Sequence, residues 1–111
     1  MMRYIIALLL GIISVNIVYA DDADRYIREA EYYQKKADGY RKEAAYYLKK
    51  AEGYEREAAY YTKKGKPEQA KTYQRKATRA LDDYKLRMRY AANAEDKAAY
   101  YLRRASNRIR Q

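Results

Sequence analysis

Tyrosines and basic residues are the side chains of this chain that could do chemistry. The sequence has 16 tyrosines and 25 lysines and arginines, but no cysteine and no histidine. Cysteine and histidine are the usual nucleophiles, bases and soft metal ligands of enzymes. Carboxylates are interspersed with lysine and arginine, whereas a hydrolytic carboxylate pair would need a cleft. The sequence therefore predicts no catalytic residue, no metal site, no cofactor and no small-molecule substrate, and we expect a protein that is not an enzyme.

Tyrosine and glycine alternate at every seventh residue in the first half of the chain. These residues are Tyr32, Gly39, Tyr46, Gly53 and Tyr60. Because glycine inside a helix costs about 1 kcal/mol relative to alanine, two glycines at one repeat position favour the close approach of another helix. We therefore expect this set, the self-association face, to bind a second copy or a partner. The alternative is a duplicated sequence whose rings only cover the seam between the chain's own helices.

Every seventh residue from Arg28 to Lys63 is basic. These residues, the basic stripe, are Arg28, Lys35, Lys42, Lys49, Arg56 and Lys63. With a formal net charge of +10, the stripe could bind a polyanion such as extracellular DNA, lipopolysaccharide or an acidic polysaccharide, and such binding would depend strongly on salt. The alternative is a solvated helix face, because acidic residues lie four positions before several of these basic residues.

These positions are set by a strict heptad in which alanine and tyrosine lie three residues apart. The pairs are Ala23/Tyr26, Ala30/Tyr33, Ala37/Tyr40, Ala44/Tyr47, Ala51/Tyr54 and Ala58/Tyr61. A sustained heptad of apolar residues is typical of long helices that pack side by side. Residues 29–42 and 43–56 further show that the full repeat is 14 residues long.

The glycine and the proline that interrupt the repeat predict two long helices. Gly65 suits the end of a helix and Pro67 suits the first turn of the next. We expect a helix over about residues 21–64, a turn at 65–66, and a helix over about 67–108. The predicted fold is all-α: an antiparallel two-helix coiled-coil hairpin that associates into a helical bundle and forms a homo-oligomer.

The hairpin also has a predicted register. With the turn centred between Gly65 and Lys66, most layers of the seam pair one large ring with one small methyl group, which keeps the seam width nearly constant. Examples are Tyr61 with Ala70, Ala58 with Tyr73, Ala30 with Tyr101, and Tyr26 with Ala105. Tyr47 opposite Tyr84 is the one wide layer, and Ala51/Ala80 and Ala37/Ala94 are narrow ones. In the same register Ala44 faces Arg87 and Ala23 faces Arg108.

The first 20 residues have the layout of a secretory signal peptide, with Arg3 before an apolar run and Ala20 at the cleavage position. The alternative is a retained membrane anchor, but about 14 apolar residues reach only ~21 Å, less than a bilayer core. We expect cleavage after Ala20, which lowers the net charge by one to +9 because Arg3 is lost. The mature chain would then be periplasmic or extracellular, with no transmembrane span.

Two segments resemble known families. Residues 57–77 resemble one tetratricopeptide unit, with glycine at the turn and Ala70, Tyr73 and Ala77 along the second helix. The chain departs from that family because its repeat is 14 residues, not 34. The alanine heptads of residues 91–105 resemble the alanine zippers of small exported bacterial lipoproteins, but the lipid-attachment cysteine of those proteins is absent.

Overall fold

The computed structural model describes residues 20–110 and shows an all-α helical hairpin. Helix α1 is Ala20–Lys63 and helix α2 is Pro67–Arg110, and the two pack against each other. The described residues contain no strand. The predicted fold class is therefore confirmed. The predicted signal peptide lies outside the described residues except for Ala20.

The turn between the helices is fixed by Gly65. Its φ of 69° lies in the left-handed region, where a side chain would be strained. The Gly65 N–H donates to the Thr62 carbonyl at 3.1 Å and the Lys66 N–H donates to the Tyr61 carbonyl at 2.9 Å. This pair of bonds is the Schellman motif, which satisfies the last carbonyls of a helix. Helix α2 then starts at Pro67, which has no N–H to leave unpaired.

The chain divides into two compact units. One, here called the terminal unit, contains residues 20–37 and 92–110 of the described chain. Its core is a cluster of two larger aliphatic side chains, one tyrosine and several alanines. The cluster consists of Ala23, Tyr26, Ile27, Ala30, Ala98, Leu102 and Ala105. Ile27 is 2% exposed, so this unit has a small aliphatic core of its own.

The other unit, here called the turn unit, is Asp38–Ala91. Its buried hydrophobic residues are all alanines: Ala44, Ala51, Ala58, Ala70, Ala77, Ala80 and Ala91. The tyrosines of its seam, including Tyr47, Tyr54, Tyr61 and Tyr73, are only half-buried. The turn unit is thus held by alanine methyl groups together with half-buried rings and half-buried leucines such as Leu48 and Leu81.

Rings from the two helices interleave along the seam. In the terminal unit, Tyr101 stacks between Tyr26 and Tyr33, with centroid distances of 6.2 and 5.8 Å. In the turn unit, Tyr73 lies in the same way between Tyr54 and Tyr61, at 6.1 and 5.5 Å. These contacts agree with the predicted register, in which Tyr101 lies over Ala30 and Tyr73 lies over Ala58. Each of these two α2 rings contacts the two tyrosines that flank its alanine.

Arginines occupy the seam positions where the register predicted them. Arg87 Nε lies 3.8 Å from Glu43 Oε1, and its guanidinium lies over the Tyr47 ring at 4.9 Å. Arg108 Nε lies 3.6 Å from Asp22 Oδ2. Both arginines therefore contact residues adjacent to the alanines they were predicted to face, or one turn away.

Among the described residues, neither helix has a stretch apolar and long enough to cross a membrane.

Candidate interaction surfaces

One arrangement of two rings and a cation occurs four times. Each copy follows the sequence Tyr-Tyr-x-basic-basic, and we call it a tyrosine–cation unit. The copies begin at Tyr32, Tyr46, Tyr60 and Tyr100. In each, the two adjacent rings meet edge to face, with centroids 5.1–5.3 Å apart and interplanar angles of 74–79°. The basic residue four positions on then lies over the first ring, 5.1–5.6 Å from its centroid.

The first ring of each tyrosine–cation unit is exposed and the second is half-buried. Tyr32, Tyr46 and Tyr60 are 51%, 55% and 52% exposed, and Tyr100 is 45% exposed. Half of a large apolar ring therefore remains in water at each copy, although its cation and its neighbouring ring already cover part of it. The hydrogen bond between Lys50 and Tyr46 raises the pKa of the Lys50 ammonium, which keeps that cation charged beside the ring.

The two helical glycines of the self-association face have open space above them. A Cβ placed on Gly39 would meet no atom within 4 Å, and one on Gly53 would meet only Arg56 Nη2 at 3.9 Å. No contact among the described residues therefore requires glycine at either position. Of the predicted face, Gly39, Tyr46, Gly53 and Tyr60 belong to the turn unit, whereas Tyr32 belongs to the terminal unit.

The basic stripe is exposed along its whole length. Its six side chains all lie in the solvent-exposed class. Arg28 pairs with Asp24 at 3.3 Å, as the spacing predicted, but Asp38 pairs with Arg41 at 2.9 Å rather than with Lys42. Among the described residues, no other stripe member has a carboxylate within ion-pair distance. The acidic residues therefore neutralise the stripe less than their spacing suggests.

The use of tyrosine without phenylalanine has a structural reason at the seam. Cations of α2 lie over rings of α1 within each unit: Lys97 over Tyr33 at 5.3 Å, and Lys76 over Tyr54 at 5.8 Å. A half-buried ring with one wet edge can keep a hydroxyl solvated while its face meets a cation. These contacts tie the helices together without a large aliphatic core.

The Tyr26 hydroxyl lies in a cluster of arginines in the terminal unit. Arg104 Nη2 donates to it at 3.3 Å, and the guanidiniums of Arg25 and Arg104 each lie 5.2 Å from the ring centroid. The hydrogen bond with Arg104, followed by that with Arg25, lowers the pKa of the Tyr26 phenol below its ordinary value of 10.0. The same bond raises the pKa of Arg104. Two guanidiniums therefore flank this buried ring.

The described residues contain no group of three or more metal-ligating side chains. No protein-family model, curated protein or solved structure matches the chain.

Two features of these surfaces were not recognised in the sequence. The fourth tyrosine–cation unit, beginning at Tyr100, could have been found because its letters repeat the pattern of the other three. The arginine cluster at Tyr26 had no such signal, because Arg25 and Arg104 are 79 positions apart in the chain and only the packing of α1 on α2 brings them together.

Proposed function

We propose that this protein is an exported, non-enzymatic structural or interaction protein that self-associates through the Tyr/Gly/Ala face of α1. The observation that carries the proposal is the pair of glycines with open space above them, set between exposed rings. Each glycine lowers helix stability by about 1 kcal/mol relative to alanine, and nothing within the described chain compensates. A ring from a second helix placed in each space would supply the missing contact.

The composition of the turn unit supports the same proposal. Its buried hydrophobic residues are alanines alone, while Tyr46 and Tyr60 keep about half of their surface in water. Burying a further 50–100 Å² of ring on each tyrosine would contribute roughly 1–3 kcal/mol per ring. A second copy laid on this face would therefore give the turn unit the apolar burial that it lacks as a monomer.

Sedimentation equilibrium of the purified protein at micromolar to tens of micromolar concentration tests this proposal. We expect an oligomer that is weakened at least tenfold by Tyr46→Ala combined with Tyr60→Ala, because each substitution removes an exposed ring. Helicity by circular dichroism should be largely retained, since these rings are half outside the hairpin. A clean monomer at tens of micromolar, or a loss of helicity in the double variant, would contradict the proposal.

A second variant separates association from folding. Gly39→Ala with Gly53→Ala should raise the free energy of unfolding by about 2 kcal/mol, since each new methyl group meets open space and alanine favours the helix. The same methyl groups should weaken the oligomer, because they fill the space proposed for a partner's ring. If the fold is stabilised and the oligomer is unchanged, the glycines are not part of the contact.

Export is the second part of the proposal. It is supported by the charge and hydropathy pattern of residues 1–20. The intact mass of protein isolated from its native compartment tests it: we expect a chain beginning at Asp21. A mature chain that retains residues 1–20 would support the membrane-anchor alternative.

A second candidate function is the binding of a polyanion along the basic stripe. The observation that favours it is that five of the six stripe members have no ion pair among the described residues. The tyrosine–cation units add exposed rings next to stripe members such as Lys49 and Lys63. Such rings could stack on bases or sugars while the cations meet the charges.

Binding of heparin and of single-stranded DNA, measured over a range of salt concentrations, tests this second candidate. Replacing Lys35, Lys42 and Lys49 with glutamine should weaken binding and reduce the salt dependence. The matched control replaces Lys66, Lys71 and Lys85, three exposed lysines outside the stripe with the same total charge. Equal losses in both triple variants would show general charge attraction and not a site.

A further inference from the structure

A cleft of about 290 Å³ lies in the terminal unit beside the most buried tyrosine described. Its lining consists of Tyr26, Arg104, Asn107 and Arg108. A phenol, two guanidiniums and a carboxamide together present many N–H and O–H donors, and the lining contains no carboxylate. A ligand for such a surface must supply several acceptor atoms and negative charge.

Arg104 is held in place by two tyrosines and not by an acid. Its Nη2 donates to the Tyr26 hydroxyl at 3.3 Å, and its Nη1 donates to the Tyr100 hydroxyl at 3.0 Å. No carboxylate of the described residues lies within ion-pair distance of it. A guanidinium carries five N–H donors, so Arg104 keeps donors for a ligand while its orientation is already set. Such preorganisation lowers the entropy lost on binding.

The charges around the cleft do not balance. Arg25 lies against the Tyr26 ring, and Arg108 lines the cleft together with Arg104. Among the described residues, the acid within ion-pair distance of this group is Asp22, which lies 3.6 Å from Arg108 and 4.0 Å from Arg25. Three guanidiniums with one carboxylate leave an excess of two positive charges, which suits a doubly charged anion.

We propose that this cleft binds a phosphate group, supplied by a soluble phosphate ester or by a phosphate-bearing lipid headgroup. The tetrahedral oxygens would accept from Arg104, Arg108 and the Asn107 amide, in the paired geometry that guanidiniums favour. None of the lining residues belongs to the self-association face or to the basic stripe, so the site is independent of both. The lowered pKa of Tyr26 agrees with the positive potential of the cleft.

A titration of the full-length purified protein with inorganic phosphate, followed by NMR at constant ionic strength, tests the proposal. We expect saturable shifts of the Asn107 side-chain amide and the Arg104 Nε–H. Arg104→Gln should weaken binding at least tenfold, because it removes the charged donor at the centre of the cleft. Asn107→Ala should weaken it by a smaller factor, which gives a second variant at an exposed position.

The matched control is Arg103→Gln, which removes the same charge from an exposed neighbour that does not line the cleft. This variant should retain the phosphate affinity of the unchanged protein. Equal weakening by the two glutamine variants, or shifts that never saturate, would show general attraction to a basic protein and would overturn the proposal.

Two further arms identify the source of the phosphate. Binding to vesicles containing phosphatidic acid that is lost in Arg104→Gln and kept in Arg103→Gln assigns a lipid headgroup. Phosphate binding without such vesicle binding assigns a soluble ester, and failure of both overturns the site. Sedimentation of Arg104→Gln should match that of the unchanged protein, so failure of the phosphate site and failure of self-association can be told apart.

Discussion

The terminal unit and the turn unit share one Ala/Tyr repeat but bury different side chains. The terminal unit encloses Ile27 and Leu102 beside Tyr26, whereas the buried hydrophobic residues of the turn unit are alanines alone. The difference arises at the heptad position next to the seam, where the terminal unit has Ile27, Leu102 and Ile109 beside Gln34 and Glu95. In α1 of the turn unit the same position is held by Arg41, Leu48, Glu55 and Thr62.

A heptad repeat can therefore specify how two helices pair without specifying which side chains fill their core. Rings interleave in both units with almost the same spacings, so the same register holds whether or not the unit has an aliphatic core. Apolar area buried away from water is what stabilises a small fold, and that area is concentrated where the repeat departs from its pattern. The unit with the poorer core is also the one that carries most of the proposed self-association face.

The largest expected effect is at Ile27. Ile27→Ala should lower the free energy of unfolding by about 3 kcal/mol, because the side chain is 2% exposed and its removal leaves a cavity. Leu48→Ala, at the same heptad position in the turn unit, should cost about half as much, because Leu48 is only half-buried. Urea denaturation at concentrations below association compares the two. Equal costs would remove the proposed difference between the units.

The interleaved rings should contribute equally in both units. Tyr101→Ala and Tyr73→Ala should each lower the free energy of unfolding by about 2 kcal/mol, since each ring contacts two rings of α1 beyond its own burial. Native-state hydrogen exchange can locate the loss in the unit that carries the substitution. If Tyr101→Ala lowers the free energy of unfolding more than twice as much as Tyr73→Ala does, the Tyr101 ring acts as part of the aliphatic core and not only through the ring contacts common to both units.

Gln34 offers a stabilising change that improves the terminal unit further. Its side-chain nitrogen is buried, and no hydrogen-bond partner lies among the described residues. Gln34→Leu should therefore raise the free energy of unfolding by about 1 kcal/mol, because an unsatisfied donor is replaced by an apolar group. Thermal denaturation measures the gain. A loss of stability would show that this nitrogen has a partner in solution.

The smallest effect is the titration of Tyr26. Its pKa is lowered in the fold, first by Arg104 and then by Arg25, so folding favours the phenolate. The contribution to stability is complete above the ordinary pKa of 10.0 and is lost as pH falls through the lower pKa of the folded protein. The difference in 295 nm absorbance between the unchanged protein and Tyr26→Phe isolates this group. Arg104→Gln should move its titration toward higher pH, and no movement would exclude that hydrogen bond as the cause.

The self-association face and the basic stripe differ in how far the sequence could predict them. The exposure of Tyr32, Tyr46 and Tyr60 follows from heptad position, because a residue beside the seam but not in it stays partly in water. The edge-to-face contact of each exposed ring with its neighbour, and the position of a lysine over that ring, could not be predicted from heptad position alone, because both depend on the rotamers of three side chains. The ion pairs of the basic stripe were predicted only in part. Arg28 pairs with Asp24 as its spacing predicts, whereas Arg41 takes the place of Lys42 beside Asp38.

The sequence by itself determined the helices, their turn and their pairing. The heptad sets which face of each helix is buried, Gly65 supplies the left-handed residue and Pro67 supplies the helix start, and all three act through contacts close in the chain. Only the tertiary structure decided that alanines alone fill the interior of one unit and that an arginine cluster surrounds Tyr26 in the other. Both depend on side chains distant in sequence meeting across the seam, where size and charge of the partner, not local propensity, set the outcome.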